Sequence, residues 1–406
     1  MSDLALISDD LTGAADSGVA FAGEGFSTAI PLGVPRRLPA DVLVLSTESR
    51  DVAPGEAERR VRAALTAAFG RHGEHRPPWL YKKMDSALRG HPALELAVTM
   101  ALGRVSRALV APAIPSQRRT TVGGRQHDGG VLLSETPMGR ATGRADLVEL
   151  FRTGTRLPTR SIDLATVRGP SRELRMALSL PGSWIAVADA ETDEDLDRLA
   201  LVAVAAGIRL FCGAAGLTGV LAERLPLHIV HSPPLLRRRA GPILTIAGSQ
   251  HAATTRQIEH LKENGTTVFR LTPEMIGPER ASLEPVVAVA RASLAAGHAT
   301  VVTTAGLRPS ALSGSAVAAR LAEIAAAPGC AEAAGGLVLT GGDVAAAVCA
   351  ALGVEAIWLR GQVLPAIPWA TLAGGPLDGM PTATKAGSFG EAQALRACAA
   401  FLAGEA

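Results

Sequence analysis

The sequence predicts a two-domain α/β protein in which each domain is a three-layer α/β unit built on a mostly parallel sheet, with a cleft between the domains. Short runs of leucine and β-branched residues alternate with longer helical patterns along the whole chain. Many of these runs are apolar on both faces, as strands covered by helices on both sides must be. A segment rich in proline and arginine, residues 225–242, separates two such series, which predicts domains at 1–228 and 240–406.

The strands and helices follow from these patterns in order. In the first half the predicted strands are LALIS, VLVLST, WLYKKM, RALVAPA, SWIAVAD and GIRLFCG. In the second half they are PILTIAGS, TVFRL, ATVVTTA, GLVLTGGD and EAIWLR. Helices are predicted at residues 54–68, 194–206, 252–263, 284–296 and 343–352, because Pro, Gly, Asp or Thr stands where each begins or ends.

The amino-acid composition argues against nucleic acid and membranes as general binding partners. Basic and acidic side chains nearly balance, 40 against 38, so a net charge of +2 gives no general attraction to nucleic acid or to an anionic membrane. No apolar run is long enough to cross a bilayer, and the first residues lack a basic and apolar leader pattern. Four scattered cysteines without C-x-x-C spacing argue against a zinc site and fit a reducing compartment. We therefore expect a cytoplasmic protein that binds small molecules. A homodimer is a further possibility, which composition does not test.

The first polar cluster follows the first predicted strand, in LALISDDLTGAAD. Ligands of open α/β sheets bind beyond the carboxyl ends of the strands, which is where Asp9 and Asp10 stand. Capping of the next helix accounts for one carboxylate but not for its neighbour, nor for Asp16 further on. We expect one of the pair to brace the backbone and the other to face a ligand.

A second cluster, YKKMDSALRGH, places Lys83, Asp85, Ser86 and Arg89 at another predicted junction between a strand and a helix. Backbone N–H groups at a helix start, a hydroxyl and long cations suit a carboxylate or a phosphorylated product. The alternative is a helix cap beside solvated lysines. Arg50, after VLVLSTES, is placed to clamp a carboxylate.

The stretch from residue 111 to residue 130 carries arginines, threonines, a histidine and an aspartate among glycines. This composition is typical of a mobile binding loop or lid, or alternatively of a solvated hairpin.

Three glycine-rich turns follow predicted strands in the second half of the chain. They contain Gly248 with Ser249, Gly341 with Gly342, and Gly387 in TKAGSFG. Each alone is compatible with a plain turn, but three together favour a site for nucleotide phosphates. The P-loop and G-x-G-x-x-G signatures are both absent from the sequence, as are G-x-S-x-G and H-E-x-x-H.

Taken together, the motifs resemble the four-carbon acid sugar kinase family. The family's opening DDLTGA-x-D stands here at residues 9–16, and its KK-x-DSTLRGN is similar to KKMDSALRGH. PAIPSQRRTT, GGDVAAAV and TKAGSFG follow in family order, so the resemblance covers nearly the whole chain.

The resemblance implies an acid-sugar-binding N-terminal domain, an ATP-binding C-terminal domain and phosphorylation of the terminal hydroxyl of threonate, erythronate or a 3-oxo-tetronate. It assigns to the acid sugar Asp9 or Asp10, Arg50, Lys83, Asp85, Ser86 and Arg89. It assigns to ATP Ser249, Gly341, Gly342, Asp343, Val344 and Gly387.

A mechanism follows as an expectation from phosphoryl-transfer chemistry. Arg50 and Lys83 would hold the substrate carboxylate, and Asp10 or Asp85 would deprotonate the attacking hydroxyl. Mg²⁺ would bridge the ATP phosphates, with Asp343 as a protein ligand and no dedicated metal site in the protein. Domain closure would exclude water from the reaction.

The sequence departs from the family pattern at four positions, and these bear on the substrate. Ala87 stands in place of Thr, His91 in place of Asn, Val344 in place of Thr and Arg118 in place of Gly. Two alternatives therefore stay open. One is a kinase for a different small hydroxy acid, and the other is a non-catalytic sensor of sugar acid or nucleotide with the same fold.

Overall fold

The computed structural model describes residues 2–33, 38–70, 73–236, 239–277, 281–307 and 313–405. Within those ranges the chain forms two compact units. The N-terminal unit contains the residues up to 28 and from 38 to 232, and the C-terminal unit contains residues 29–33 and the chain from Pro233 onwards. In segment 225–242 the described residues belong to no helix or strand, and Arg237 and Arg238 lie outside the described residues. Elements are numbered below in chain order.

The N-terminal unit contains a parallel sheet with the strand order β3-β1-β4-β11-β5-β10-β9. Its strands are β1 Leu4–Ser8, β3 Val42–Ser46, β4 Trp79–Lys83, β5 Arg107–Ala111, β9 Thr159–Ile162, β10 Trp184–Ala188 and β11 Leu210–Gly213. A small antiparallel sheet is formed by β6 Arg119–Val122, β7 Arg125–Asp128 and β8 Val131–Leu132. The helices are α1 Leu11–Gly23, α2 Pro54–Phe69, α3 Pro92–Gly103, α4 Leu147–Thr155, α5 Leu164–Arg168, α6 Ser171–Leu178, α7 Asp193–Ala205 and α8 Ala215–Arg224.

Helices cover both faces of this parallel sheet. Side chains of α2, α3 and α4 form one apolar core with alternate residues of the strands, among them Ile7, Leu45 and Val110. On the other face α1 packs against β1, β3 and α8, and α8 packs against α7. Because β1 is buried along its whole length, only the residues after its end can be polar and reach a ligand.

The C-terminal unit has a mixed sheet with the strand order β13-β14-β12-β15-β18-β17-β16-β2. Its strands are β2 Thr28–Pro31, most of which clusters with this unit, β12 Ile243–Ala247, β13 Thr267–Arg270, β14 Thr300–Thr303, β15 Gly336–Thr340, β16 Ala356–Leu364, β17 Ile367–Ala373 and β18 Pro381–Lys385. The helices are α9 Ala252–Glu263, α10 Pro273–Ile276, α11 Glu284–Ala295, α12 Gly314–Ala326, α13 Gly342–Ala351 and α14 Ala394–Ala403. Helices α9 and α14 share an apolar core with one face of this sheet. Helices α12 and α13 pack against each other and contact β12 and β15, outside that core.

The predicted α/β class with mostly parallel sheets is confirmed. Strands β13, β14, β12, β15 and β18 pair in parallel, whereas β17 is antiparallel to both β16 and β18. No helix among the described residues is both long enough and apolar enough to cross a membrane.

Candidate functional site

In the N-terminal unit three neighbouring parallel strands end side by side. Strand β1 lies between β3 and β4, with Ser8 opposite Ser46 and Ile7 opposite Lys82. The segments that follow these strands contain the predicted site residues, which the structure brings together at one edge of the sheet. This is the edge at which α/β proteins bind ligands.

Arg50 is held by the two neighbouring aspartates. Its Nε and Nη2 donate to the two carboxylate oxygens of Asp9 at 2.8 and 2.9 Å, and its Nη1 donates to Asp10 Oδ2 at 2.7 Å. Burial opposes ionisation of Asp9, but Arg50, helped by Lys82 and Lys83, lowers the pKa of Asp9 below its usual value. All three nitrogens of Arg50 already have a carboxylate partner, which leaves one N–H on each of Nη1 and Nη2 for a ligand.

Asp10 is the N-cap of α1. Its Oδ1 accepts from the backbone N–H of Gly13 at 2.9 Å, and its Oδ2 accepts from the hydroxyl of Thr12 at 2.8 Å. A side chain at Gly13 would place its Cβ 2.4 Å from Asp10 Oδ1 and 3.1 Å from Lys83 Nζ, so only glycine lets the helix start approach this closely. Asp10 therefore braces the backbone, as one member of the pair was expected to do.

The two consecutive lysines of β4 point to different surroundings. Lys82 is fully buried and its Nζ lies 2.7 Å from Glu95 Oε2, while Ser49 donates to Glu95 Oε1 at 2.6 Å. Lys83 points to the side of α1, where its Nζ donates to the carbonyl of Met84 at 3.0 Å. Alternation along the strand thus separates a buried ion pair from a lysine that faces the cluster of carboxylates.

Asp85 is held by Arg89. Arg89 donates through Nε and Nη2 to the Asp85 carboxylate at 2.9 and 2.8 Å, and the backbone N–H groups of Ala87 and Arg89 donate at 3.2 Å. Burial opposes ionisation, but Arg89 and Arg50 hold the pKa of Asp85 well below its usual range.

The prediction of a helix directly after Asp85 is wrong, because α3 begins only at Pro92. Residues 84–91 form a turn in which Leu88 and Gly90 have positive φ. Of the positions that depart from the family pattern, Ala87 is buried and the His91 ring bonds the carbonyl of Val52 at 2.7 Å.

The stretch predicted as a lid or a hairpin, residues 111–130, contains β6 and β7, which pair with each other and with β8, and it packs onto the Asp85 turn. Arg119 donates to the hydroxyl of Ser86, and Arg144 donates to the carbonyls of Leu88 and Gly90 at 3.0 and 2.8 Å. The carboxylate of Asp189 accepts from the N–H groups of Gly123 and Gly124 at 2.8 Å or less, which fixes the β6–β7 turn. The Asp85 turn is thus contacted by two arginines near Ser86: Arg89, which holds Asp85, and Arg119, which holds Ser86.

Sequence reasoning did not assign roles to Arg119 and Asp16. Arg119 is 8% exposed, its Nε is buried without a hydrogen-bond partner among the described residues, and its Nη2 is 3.7 Å from Asp128. Burial raises the pKa of Asp16 to about 6, with Lys83 acting against this and Asp10 adding to it. The signal for both was present in the quoted motifs, since Arg119 belongs to QRRTT and Asp16 closes DDLTGAAD.

In the C-terminal unit the three glycine-rich turns also converge. Strand β15 lies between β12 and β18, so Ser249, Gly341 and Gly387 follow three adjacent strand ends. Gly341 has a φ of +99° and is the N-cap of α13. A Cβ at Gly248 would be 2.5 Å from Val344 Cγ2, so the buried Val344 packs against the β12 turn and offers only its backbone to a ligand.

The Gly387 turn lies against Ser249. A Cβ at Gly387 would lie 2.0 Å from Ser249 Oγ, so only glycine at this position lets the turn approach Ser249. The exposed Asp343 is in the first turn of α13, and its Oδ2 is 3.3 Å from the Cβ position of Gly314. Among the described residues no group of three or more His, Cys, Asp or Glu is arranged to hold a metal ion.

Lys385 holds the turn that contains Gly387. Its Nζ donates to the carbonyls of Ala386 and Phe389 at 2.9 and 3.1 Å, and Thr254 donates to the Gly387 carbonyl at 2.8 Å. With these carbonyls turned inward, the N–H groups of Gly387 and Ser388 have no hydrogen-bond partner among the described residues. Burial lowers the pKa of Lys385 to about 8, with Cys398 acting against this.

Comparison with known families matches each unit to a domain. Residues 4–221 match a sugar-binding N-terminal domain, and residues 244–395 match a nucleotide-binding C-terminal domain. These matches place the chain in the class of proteins that combine a sugar-binding domain with a nucleotide-binding domain.

Full-length relatives narrow this class. The chain is 33% identical to D-threonate kinase of Salmonella typhimurium, with 96% of each chain covered, and 30% identical to D-erythronate kinase of Heliobacterium modesticaldum, with 99% and 97% covered. It is 29% identical to 3-oxo-tetronate kinase of Methylobacterium radiotolerans, with 96% of each covered. The chain belongs to the four-carbon acid sugar kinase family, as its motifs indicated.

Solved structures show the same fold. A Salmonella typhimurium LT2 structure described as a tRNA synthase has a TM-score of 0.79 at 21% identity, and Haemophilus influenzae protein HI1011 has a TM-score of 0.72 at 22% identity. Each comparison covers 97% of this chain and 98% of the other. At these identities the likeness extends to the fold alone.

Proposed function

We propose that this protein is an ATP-dependent kinase that transfers the γ-phosphate to the terminal hydroxyl of a four-carbon sugar acid, with D-threonate as the first candidate. The observation that carries the proposal is the pair of strand-end sites. One contains cations and carboxylates suited to a hydroxy acid. The other contains glycine turns suited to phosphates, in which the N–H groups of Gly387 and Ser388 have no hydrogen-bond partner among the described residues. D-Threonate comes first because three D-threonate kinases are 33–34% identical to this chain, whereas the D-erythronate and 3-oxo-tetronate kinases are 27–30% identical.

In the N-terminal unit the acid is proposed to bind among Arg50, Lys83, Ser86, Arg89 and Arg119. Arg50 contacts Asp9 and Asp10 and lies 4.0 Å from Asp85, and the charge of Lys83 acts on Asp9 and Asp85. Arg119 lies beside Ser86, and its closest carboxylate, that of Asp128, is 3.7 Å away. A buried guanidinium without a full carboxylate partner gains most from a ligand carboxylate. We therefore assign the substrate carboxylate to Arg119 and Ser86, in place of the Arg50 and Lys83 expected from the sequence.

Asp9, Asp10 and Asp85 are proposed to position these cations. Each carboxylate already accepts two or more hydrogen bonds, and those of Asp9 and Asp85 come mainly from arginine. Held in this way, the guanidinium groups need no reorganisation when the substrate binds, and preorganised charge is the main catalytic contribution in phosphoryl transfer.

In the C-terminal unit the residues fit a nucleotide phosphate. The first-turn N–H groups of α13, at Gly342 and Val344, and those of Gly387 and Ser388 point to the same edge of the sheet as Ser249. Mg²⁺ would be held mainly by the phosphates, with Asp343 as the protein carboxylate, and would neutralise charge on the transferred group.

A screen for ADP release tests the proposal and separates it from the alternatives. Purified protein is assayed with ATP and Mg²⁺ against D-threonate, D-erythronate, the 3-oxo-tetronates and a panel of other hydroxy acids. We expect turnover with a four-carbon acid and none with ATP alone. Turnover only with an acid of another length would establish a different hydroxy acid kinase. Binding of acid and ATP by calorimetry without any turnover would establish a sensor.

A further inference from the structure

Four carboxylates surround Lys83, and they differ in what they already bind. Asp9 receives two hydrogen bonds from Arg50, Asp10 receives three from Gly13, Thr12 and Arg50, and Asp85 receives four, three from Arg89 and one from Ala87. Asp16 accepts no hydrogen bond from any side chain or backbone group of the described residues. A carboxylate that accepts a substrate proton must have an oxygen free for that hydrogen bond.

The position of Asp16 on α1 directs it to the same cluster. It follows Gly13 by three residues, so both lie on one face of the helix. At Gly13 that face is 3.1 Å from Lys83 Nζ, measured from the Cβ position, and Lys83 and Asp10 are the charges that act on Asp16. Asp16 is half-buried, so its carboxylate is not sealed into the core.

Lys83 is close enough to act electrostatically on Asp16, but the two side chains form no ion pair. No carboxylate oxygen among the described residues lies within 4.0 Å of Lys83 Nζ, and the lysine donates to the Met84 carbonyl. A cation and a carboxylate that are near each other but not paired leave space for a small polar group that bonds to both. A hydroxyl group has the right character, because its oxygen accepts from the ammonium while its hydrogen is donated to the carboxylate.

We propose that Asp16 is the catalytic general base of this protein and that Lys83 binds the oxygen of the same substrate hydroxyl. The inference rests on the proposed function, since it needs a hydroxyl as phosphoryl acceptor. The hydroxyl oxygen forms a bond to the γ-phosphorus, its proton passes to an Asp16 oxygen, and the bond from the γ-phosphorus to the bridging oxygen breaks with both electrons remaining on ADP. Lys83 stabilises the negative charge that develops on the attacking oxygen.

The titration of Asp16 agrees with this role. Burial raises its pKa to about 6, closer to neutral pH than that of an ordinary aspartate, which makes it a better proton acceptor that is still ionised at pH 7. The titratable groups that act on it are Lys83, which lowers its pKa, and Asp10, which raises it, and Tyr81 is a further neighbour whose own pKa burial raises well above its usual value.

The test is the Asp16→Asn variant, assayed with the acid that the wild-type protein phosphorylates. We expect kcat to fall about 10²- to 10⁴-fold while the KM values for acid and ATP change less than about threefold. Wild-type kcat should fall below pH of about 6 as Asp16 becomes protonated, and the residual activity of Asp16→Asn should lack that acidic limb. Glu24→Gln, at an exposed carboxylate that ends the same helix, is the matched control and should keep wild-type kinetics.

Several outcomes would overturn the assignment. These are a kcat for Asp16→Asn within about fivefold of wild type, the same acidic limb in the variant, or a loss confined to KM. The melting temperature shows whether Asp16→Asn folds. If it does not fold, Asp16→Glu and the pH dependence of wild-type kcat replace it as the test. A wild-type kcat that does not change between pH 5 and 7 would contradict the proposal. Failure of the proposed function is distinguishable, because the wild-type protein would then phosphorylate no sugar acid at all.

Discussion

Arg50 and Arg119 show how differently two buried arginines of the same site are satisfied. Arg50 has a carboxylate oxygen on each of its three nitrogens. Arg119 has a hydroxyl, the sulfur of Met138 and an Nε without a partner among the described residues. Because an unpaired buried charge is costly, the guanidinium of Arg119 is the one that a ligand carboxylate would stabilise most.

Replacing Arg119 should therefore weaken binding of the acid and leave ATP binding intact. Hydrogen bonds to charged groups contribute about 1.5–3 kcal/mol, so Arg119→Gln should raise the KM for the acid about 10- to 150-fold. Arg119→Lys keeps the charge without the planar fork and should be intermediate. Steady-state kinetics with acid and ATP varied separately provides the measurement.

The control is Arg140→Gln, at an exposed arginine between β8 and α4, and this variant should bind the acid normally. The uncharged four-carbon polyol gives a further criterion, since Arg119→Gln should lose the preference of the wild-type protein for the acid over the polyol. Equal losses for acid and ATP would mean that Arg119 is structural.

The Lys82–Glu95 pair is predicted to matter for stability. Both side chains are fully buried and 2.7 Å apart, so Lys82→Met leaves an uncompensated carboxylate in the core. We expect Lys82→Met to lower the free energy of unfolding by about 3–5 kcal/mol, and Lys82→Met with Glu95→Leu to recover part of that loss. Urea denaturation followed by circular dichroism measures both. A loss below about 1 kcal/mol for Lys82→Met would show that Glu95 is neutralised or solvated.

At the residue scale the sequence could predict which residues gather but not how they pair. Strand-end position was enough to bring Asp9, Asp10, Arg50 and Asp85 into one cluster. It could not show that Arg50 is engaged by the two aspartates, or that Lys82 points into the core and Lys83 towards α1. Those facts depend on strand register and on the partners that the fold brings near, and neither is local in sequence.

At the scale of elements, strand β18 and its turn connect a buried lysine to the nucleotide site. Lys385 and Thr254 hold the carbonyls of residues 386–389, and Gln257 holds the carbonyls of Phe389 and Gly390 at 2.9 and 2.8 Å. The direction of these carbonyls determines that the N–H groups of the turn face outwards, where they can bind an anion.

Lys385→Met should accordingly raise the KM for ATP about tenfold or more and leave the KM for the acid unchanged, since each hydrogen bond that fixes the turn contributes about 1 kcal/mol. In the wild-type protein the KM for ATP should also rise as the pH increases through about 8, because the Lys385 ammonium then loses its charge. Kinetics between pH 6.5 and 9 measure both effects. Lys262→Met, at an exposed lysine of α9, is the control. The same pH dependence in Lys385→Met would exclude Lys385 as its origin.

Elements with clear signals were predictable from the sequence. The helix predicted at residues 252–263 has those bounds in α9, and the predictions at 54–68 and 194–206 are within one residue of α2 and α7. Proline in the first turn of α2 and the Thr192 capping box of α7 explain this accuracy. The strands that were missed, β2, β8, β9, β17 and β18, are short or follow glycine and proline, and β17 pairs antiparallel to its neighbours. Periodicity in such short runs does not distinguish a strand from a loop.

At the scale of the molecule, the order of motifs along the chain was more informative than composition. A net charge of +2 and an alanine-rich sequence indicate little about function. The family motifs and their order, by contrast, led to the family that the domain matches and full-length relatives establish. That residues 29–33 cluster with the C-terminal unit was not predictable, because a four-residue strand such as β2 carries no information about the sheet it joins.

The central claim, phosphoryl transfer from ATP to the terminal hydroxyl of a four-carbon acid, is tested most directly by the structure of the product. The wild-type protein is incubated with ATP, Mg²⁺ and the accepted acid, and the phosphorylated product is examined by proton-coupled ³¹P NMR. Transfer to the terminal hydroxyl predicts a phosphate monoester signal split by the two hydrogens of the terminal CH₂ group. A signal split by a single hydrogen would place the phosphate on an inner carbon, and release of inorganic phosphate with no ester would show that the protein is not a sugar-acid kinase.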